Sequence, residues 1–145
     1  DKVDYFVRDA VSKGAVIKLG GQKPIGKGFF YPPTVITNVP DTAECLYDEI
    51  FGPVAAIQTF SDEMEVVQRS NATEYGLVAY VYTSDMKRGM RISESLEFGM
   101  IGLNRGLVSD PASPFGGVKQ SGLGREGGKE GMLEFQETQY ISTEW

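Results

Sequence analysis

Apolar residues recur at helical spacing from the start of the chain. Val3, Phe6, Val7, Ala10 and Val11 fall on one face, and Gly14 follows as a stop. Asp1 is the one residue placed to cap this helix, and so early a helix is compatible with a chain that begins part-way through a longer one. Residues 15–19 then read as a short apolar strand ending at Gly20-Gly21. Residues 29–36 are aromatic, β-branched and interrupted by Pro32 and Pro33, which predicts an edge or hairpin strand. Further on the period alternates between strand and helix: strand 54–60, helix 62–75 opened by Ser61 or Asp62 and closed by Gly76, strand 77–83, helix 86–98 behind Ser84-Asp85 and closed by Gly99, and strand 100–103. Strands and helices in that alternation predict an α/β fold with a mainly parallel sheet and flanking helices. After Asn104 the chain changes character. Gly, Pro and Ser dominate residues 106–124, an irregular loop of the kind that carries functional sites. A short helix at 125–135 and a polar terminal strand at 138–143 complete the pattern, with no internal repeat or domain linker in residues 1–145.

Composition narrows the function classes. Of 145 residues 41% are hydrophobic, enough for one sizeable core and too many for a disordered chain. The net charge of -6 and the scattered Lys and Arg argue against nucleic acid, whose phosphates demand clustered cations. No apolar run approaches membrane-spanning length, and the opening residues carry no signal-peptide pattern. A single cysteine, Cys45, rules out an internal disulfide framework and suits a reducing compartment. A cytoplasmic protein with no metal site is therefore expected. Asn71-Ala72-Thr73 matches a glycosylation sequon, which means little without secretion.

Four features bear on chemistry. Gly122-Leu123-Gly124-Arg125-Glu126-Gly127 satisfies the dinucleotide pattern G-x-G-x-x-G, but no buried strand precedes it, so a glycine-permitted loop fixed by Lys119 and Arg125 is the better reading. Glu49 could accept hydrogen bonds from both hydroxyls of a ribose, and Phe51, two residues on along an extended segment, could hold a flat ring on the same side while Gly52-Pro53 turns the chain. The plainer alternative makes Glu49 a solvated loop residue and Phe51 a core anchor. Cys45 sits among Glu44 and Asp48, acids that raise a thiol pKa, so it is expected to be a partly buried bystander. With no histidine in the chain, Cys-His and Ser-His-Asp schemes are excluded from it.

Glu49-Ile50-Phe51-Gly52-Pro53-Val54 and Pro114-Phe115-Gly116-Gly117-Val118-Lys119-Gln120-Ser121-Gly122-Leu123-Gly124-Arg125-Glu126 resemble signatures from the C-terminal part of the NAD(P)-dependent aldehyde dehydrogenases. Gly28-Phe29-Phe30-Tyr31-Pro32-Pro33-Thr34-Val35, Asn71-Ala72-Thr73-Glu74-Tyr75-Gly76-Leu77 and Gly99-Met100-Ile101-Gly102-Leu103-Asn104 resemble three more, in family order. The resemblance implies that Glu49 and Phe51 contact the nicotinamide ribose and ring of NAD or NADP. It also implies that the attacking cysteine and the glutamate base come from outside these residues, so the chain alone is expected to be inactive. In the family that cysteine forms a thiohemiacetal, hydride passes to NAD(P)+, and the thioester is hydrolysed. Residues 137–145 match the position of the family's intersubunit strand, which implies a homo-oligomer.

Asn104-Arg105-Gly106-Leu107-Val108-Ser109-Asp110-Pro111 resembles the succinate-semialdehyde dehydrogenase version of the following loop. There the serine at the Ser109 position donates to the substrate's distal carboxylate, whereas the residues alone would equally let Ser109 cap the turn at Asp110-Pro111. A dehydrogenase for glutarate semialdehyde or another small aldehyde, or a non-catalytic binding or oligomerisation module, are the alternatives.

Overall fold

Phe6, Val7 and Ala10 are the buried residues of helix α1 (Lys2–Ser12), three of the five positions in the apolar stripe. They pack with Ala15, Ile36, Val39, Ala43 and Cys45 into one core cluster. Val11 lies at the rim, partly exposed. The helix ends as its sequence dictates. Gly14 takes φ +114, a conformation without penalty for glycine, and the Ala15 N–H reaches back to the Ala10 carbonyl at 2.9 Å. This computed structural model describes residues 1–145, and the chain divides into two compact units, 1–61 and 62–145.

In the first unit a three-stranded sheet has the order β1 (Val16–Leu19), β2 (Thr34–Thr37), β3 (Val54–Ile57). β1 pairs antiparallel with β2, and β2 pairs parallel with β3. The run predicted at 29–36 as an edge or hairpin strand thus becomes the central strand and starts only at Thr34. Pro32 and Pro33 lie just before the ladder, so they remove no hydrogen bond from it. Phe29 and Phe30, expected in the strand, are exposed outside it. Ile36 is fully buried at the centre of β2; a side chain of that size contributes roughly 1.5–3 kcal/mol by leaving water.

In the second unit Asp62 caps α2 (Glu63–Asn71) by accepting the Glu65 N–H at 2.9 Å. The helix predicted to run to residue 75 stops at Asn71. There the side-chain amide leaves the helix, donating to the Ser95 carbonyl and accepting the Glu97 N–H, both at 2.9 Å. Tyr75–Gly76 instead forms β4, antiparallel to β7 (Val118–Lys119) inside the predicted loop. β5 (Val78–Val81), α3 (Met86–Ser95) and β6 (Met100–Leu103) follow, with β5 and β6 parallel. Asp85 caps α3 by accepting from the Lys87 and Arg88 N–H groups at 2.9 and 3.1 Å. Arg91 holds Glu63 with two nitrogens, at 2.6 and 2.8 Å, and joins α3 to α2. α4 (Gly128–Leu133) is shorter than predicted.

The α/β class stands, with the parallel pairing carried by β2–β3 and β5–β6 and the remaining ladders antiparallel. Residues 138–143, predicted as a strand, form none. They are exposed and pair with no edge of this chain, and a strand exists only where a neighbour takes its N–H and C=O groups. No helix is long and apolar enough to cross a membrane.

Candidate functional site

The Glu49–Phe51 segment is held from below by α1. Asp9 accepts the Glu44 N–H at 2.9 Å and pairs with Lys13 at 2.6 Å, while Lys13 also donates to the Thr42 carbonyl at 2.9 Å. The Lys13 ammonium, then the Glu44 N–H, lower the Asp9 carboxyl below its ordinary pKa. Tyr5 donates to the Glu44 carboxylate at 2.9 Å. These contacts fix the 3₁₀ turn at Glu44–Leu46, three residues before Glu49. Ile50 packs against the core cluster, and a Cβ on Gly52 would collide with the Val3 side chain of α1. Pro53 offers its carbonyl to the Thr34 N–H at 2.8 Å, tying the far end to β2.

Between those anchors Glu49 and Phe51 both face outward. Glu49 is exposed and no donor of this chain engages its carboxylate, and Phe51 is 84% exposed. Phe51 is therefore not a core anchor. Nor is the segment extended throughout, as expected: Phe51 takes φ +45, which sends the chain directly into the Gly52-Pro53 turn. An acceptor-only carboxylate beside a bare aromatic face fits a ribose diol and a flat heteroaromatic ring.

Ser109 lies in the second unit, exposed, in the loop after β6. Its hydroxyl does not cap the turn that follows. Asp110 does so itself, its Oδ1 accepting the Ala112 N–H at 2.9 Å and its carbonyl accepting the Ser113 N–H at 3.0 Å. The Gly128 N–H donates to the Pro111 carbonyl at 3.0 Å, so this turn rests on the start of α4. Phe115 and Glu126 exchange backbone hydrogen bonds at 2.7 and 2.8 Å. Ser109 is thus an uncommitted hydroxyl on a loop whose neighbours are tied down.

The glycine-rich run 122–127 behaves as a loop. Gly122, Gly124 and Gly127 take φ +103, +84 and +71, and only the two-residue β7 precedes it. Arg125 donates to the Gly117 and Gly124 carbonyls at 2.7 and 2.6 Å, and Lys119 to Asn71 and Thr73, the fixing role expected of both. Cys45 is buried. Burial first, and the Asp9 carboxylate second, push its thiol pKa up, whereas the sequence pointed to Glu44 and Asp48. Sequence reasoning also missed Asp9 and Lys13 as supports of the Glu49 segment. Their i, i+4 spacing on the polar side of α1 signals an ion pair, but not the turn it holds.

Residues 1–141 match the aldehyde dehydrogenase family, and the chain belongs to it. It is 52% identical over 141 residues to a succinate-semialdehyde dehydrogenase of Paenarthrobacter nicotinovorans, covering 97% of this chain and 31% of that protein. It is 48% identical to a glutarate-semialdehyde dehydrogenase of Pseudomonas putida, covering 97% of this chain and 29% of that one. A crystal structure of succinate-semialdehyde dehydrogenase from Burkholderia pseudomallei superposes with a TM-score of 0.86 at 46% identity, over 92% of this chain and 28% of that one. The chain thus spans about a third of the length of the curated relatives it matches.

Proposed function

We propose that this chain is the C-terminal part of an NAD(P)-dependent dehydrogenase that oxidises succinate semialdehyde to succinate. Glu49 and Phe51 serve the nicotinamide end of the cofactor, and Ser109 serves the far end of the substrate. The observation that carries the reading is that these three residues stand exposed and uncommitted while the residues around them are bonded in place. The chemistry supplied by a bound nicotinamide is hydride acceptance. This chain's share is to orient the ring with Phe51, to accept the ribose hydroxyls with Glu49, and to donate from Ser109 to the distal carboxylate. The attacking cysteine and the glutamate base are assigned to polypeptide outside these residues, because the one thiol here is buried with a raised pKa.

Glu49→Gln in the complete enzyme tests the cofactor half. It keeps the side chain's size and removes its charge, so turnover at saturating cofactor should fall about tenfold, the loss of a charge-assisted bond, while overall cofactor affinity moves less. Unchanged turnover would end the ribose assignment. The likeness to a glutarate-semialdehyde dehydrogenase supports a second reading, in which the preferred substrate is one methylene longer. A methylene is worth about 10- to 200-fold in kcat/KM, so the ratio for the two semialdehydes separates these readings.

The complete enzyme is further proposed to be a homo-oligomer. Residues 137–145, β-branched and aromatic but unpaired in this chain, would add to a sheet edge of a second copy. Deleting them should give monomers or aggregates by light scattering, and an unchanged mass would place assembly elsewhere.

A further inference from the structure

The loop that carries Ser109 begins and ends on non-glycine residues in the left-handed region. Asn104, after β6, has φ +53, and Lys119, in β7, has φ +55. That conformation is uncommon for residues with a Cβ and persists where surrounding bonds over-determine it. At Asn104 the bonds come from Thr83. The Asn104 Oδ1 accepts the Thr83 N–H and the Nδ2 donates to the Thr83 carbonyl, both at 2.9 Å, while the Asn104 N–H reaches the Val81 carbonyl at 2.8 Å. The side chain thereby extends the β5–β6 ladder by one pair of bonds.

At Lys119 the ammonium donates to the Asn71 carbonyl at 2.8 Å and the Thr73 carbonyl at 3.3 Å, and it pairs with Glu97 at 2.8 Å. Its side chain is only 25% exposed. Asn71 in turn bridges the Ser95 carbonyl and the Glu97 N–H, so the ends of α2 and α3 meet β7 at one point. Ser109 has no bond of its own to hold its hydroxyl. Its place follows from the ends of the loop and from the Asp110 turn seated on α4.

We propose that Asn104 and Lys119 are positioning residues for substrate selection, holding the 105–117 loop so that Ser109 presents its hydroxyl to the distal anion of the aldehyde. This rests on the reading of Ser109 given above. Neither residue is assigned contact with the substrate; each acts through the loop backbone. Charge-assisted bonds from an oriented hydroxyl depend on its placement, so loosening either end should cost part of what removing the hydroxyl costs.

The test uses the complete enzyme. Asn104→Gly keeps the left-handed backbone accessible while removing both side-chain bonds; Lys119→Met keeps the aliphatic stem and removes three contacts; Lys119→Arg keeps charge and donors. For Asn104→Gly and Lys119→Met, KM for succinate semialdehyde should rise about 3- to 30-fold, with KM for an uncharged aldehyde of equal length and for NAD(P)+ within about twofold. Lys119→Arg should recover most of the loss. Adding Asn104→Gly to Ser109→Ala should cost little more than Ser109→Ala alone, because the hydroxyl being positioned is already gone.

Equal losses for charged and uncharged aldehydes, or no loss, in an enzyme where Ser109→Ala costs the charged aldehyde far more than the uncharged one would overturn the positioning roles and leave the Ser109 reading standing. Equal losses for both aldehydes on Ser109→Ala, or none for either, would remove that reading, and the positioning proposal with it. Should Lys119→Met fail to fold, Asn104→Gly decides alone, since it introduces neither strain nor charge.

Discussion

Residues 1–145 on their own should produce no reduced nicotinamide from succinate semialdehyde and NAD+ or NADP+. The reason is chemical. Oxidation through a covalent intermediate begins with a thiolate, and the single thiol of this chain is buried and raised in pKa by burial and the neighbouring Asp9 carboxylate. No histidine is present to activate it. The same argument predicts that alkylation of Cys45 in the folded chain is slow and that denaturant makes it fast. A steady absorbance increase from the pure chain would overturn the assignment of the nucleophile to other polypeptide. Rapid alkylation under native conditions would show that Cys45 is more accessible than its burial in the core cluster with Phe6, Val7 and Ala10 implies.

Ser109→Ala in the complete enzyme should weaken binding of the semialdehyde by about 1.5–3 kcal/mol, about 10- to 100-fold, the worth of a hydrogen bond to a charged group. Uncharged aldehydes of similar length should be nearly unaffected. The expectation rests on a division of labour between neighbours. Asp110 makes the turn with its own carboxylate, so the hydroxyl of Ser109 is not needed for folding the loop. Steady-state KM values for the two aldehyde classes measure it, and equal losses for both would return Ser109 to a structural role.

Much of the fold is legible along the chain because it is local. The stripe from Val3 to Ala10, the caps at Asp62 and Asp85 and the stop at Gly14 each depend on residues within one or two turns, and each is found where its spacing puts it. The misreadings occur where partners are distant. Prolines at 32 and 33 suggest an edge strand, yet their influence ends one residue before the ladder begins, and β3 supplies a second neighbour from 20 residues further on. α2 stops at Asn71 because residues 95 and 97 claim its side chain, a competition no window around Asn71 contains.

The candidate site divides in the same way. Glu49, Phe51 and Ser109 are visible through motifs, and the plainer alternative for Phe51 falls to its exposed ring. Their supports are hidden. The Glu44 N–H lies 35 residues from Asp9, the Asn104 amide 21 from Thr83, and the Lys119 ammonium 48 from Asn71. Hydrogen bonds of that span are written in the sequence only as single polar residues with nothing nearby to explain them.

The exposed end of the chain decides what spectroscopy can see. Trp145 is the only tryptophan and is fully solvent-exposed, while neither unit's core contains another. Tryptophan emission therefore starts at the wavelength of an unfolded protein and should barely move when the isolated chain melts, so a flat trace is no sign of stability. Backbone circular dichroism would report that melting. The same blindness becomes an advantage for assembly, because a blue shift of this one emitter can only come from the tail finding cover.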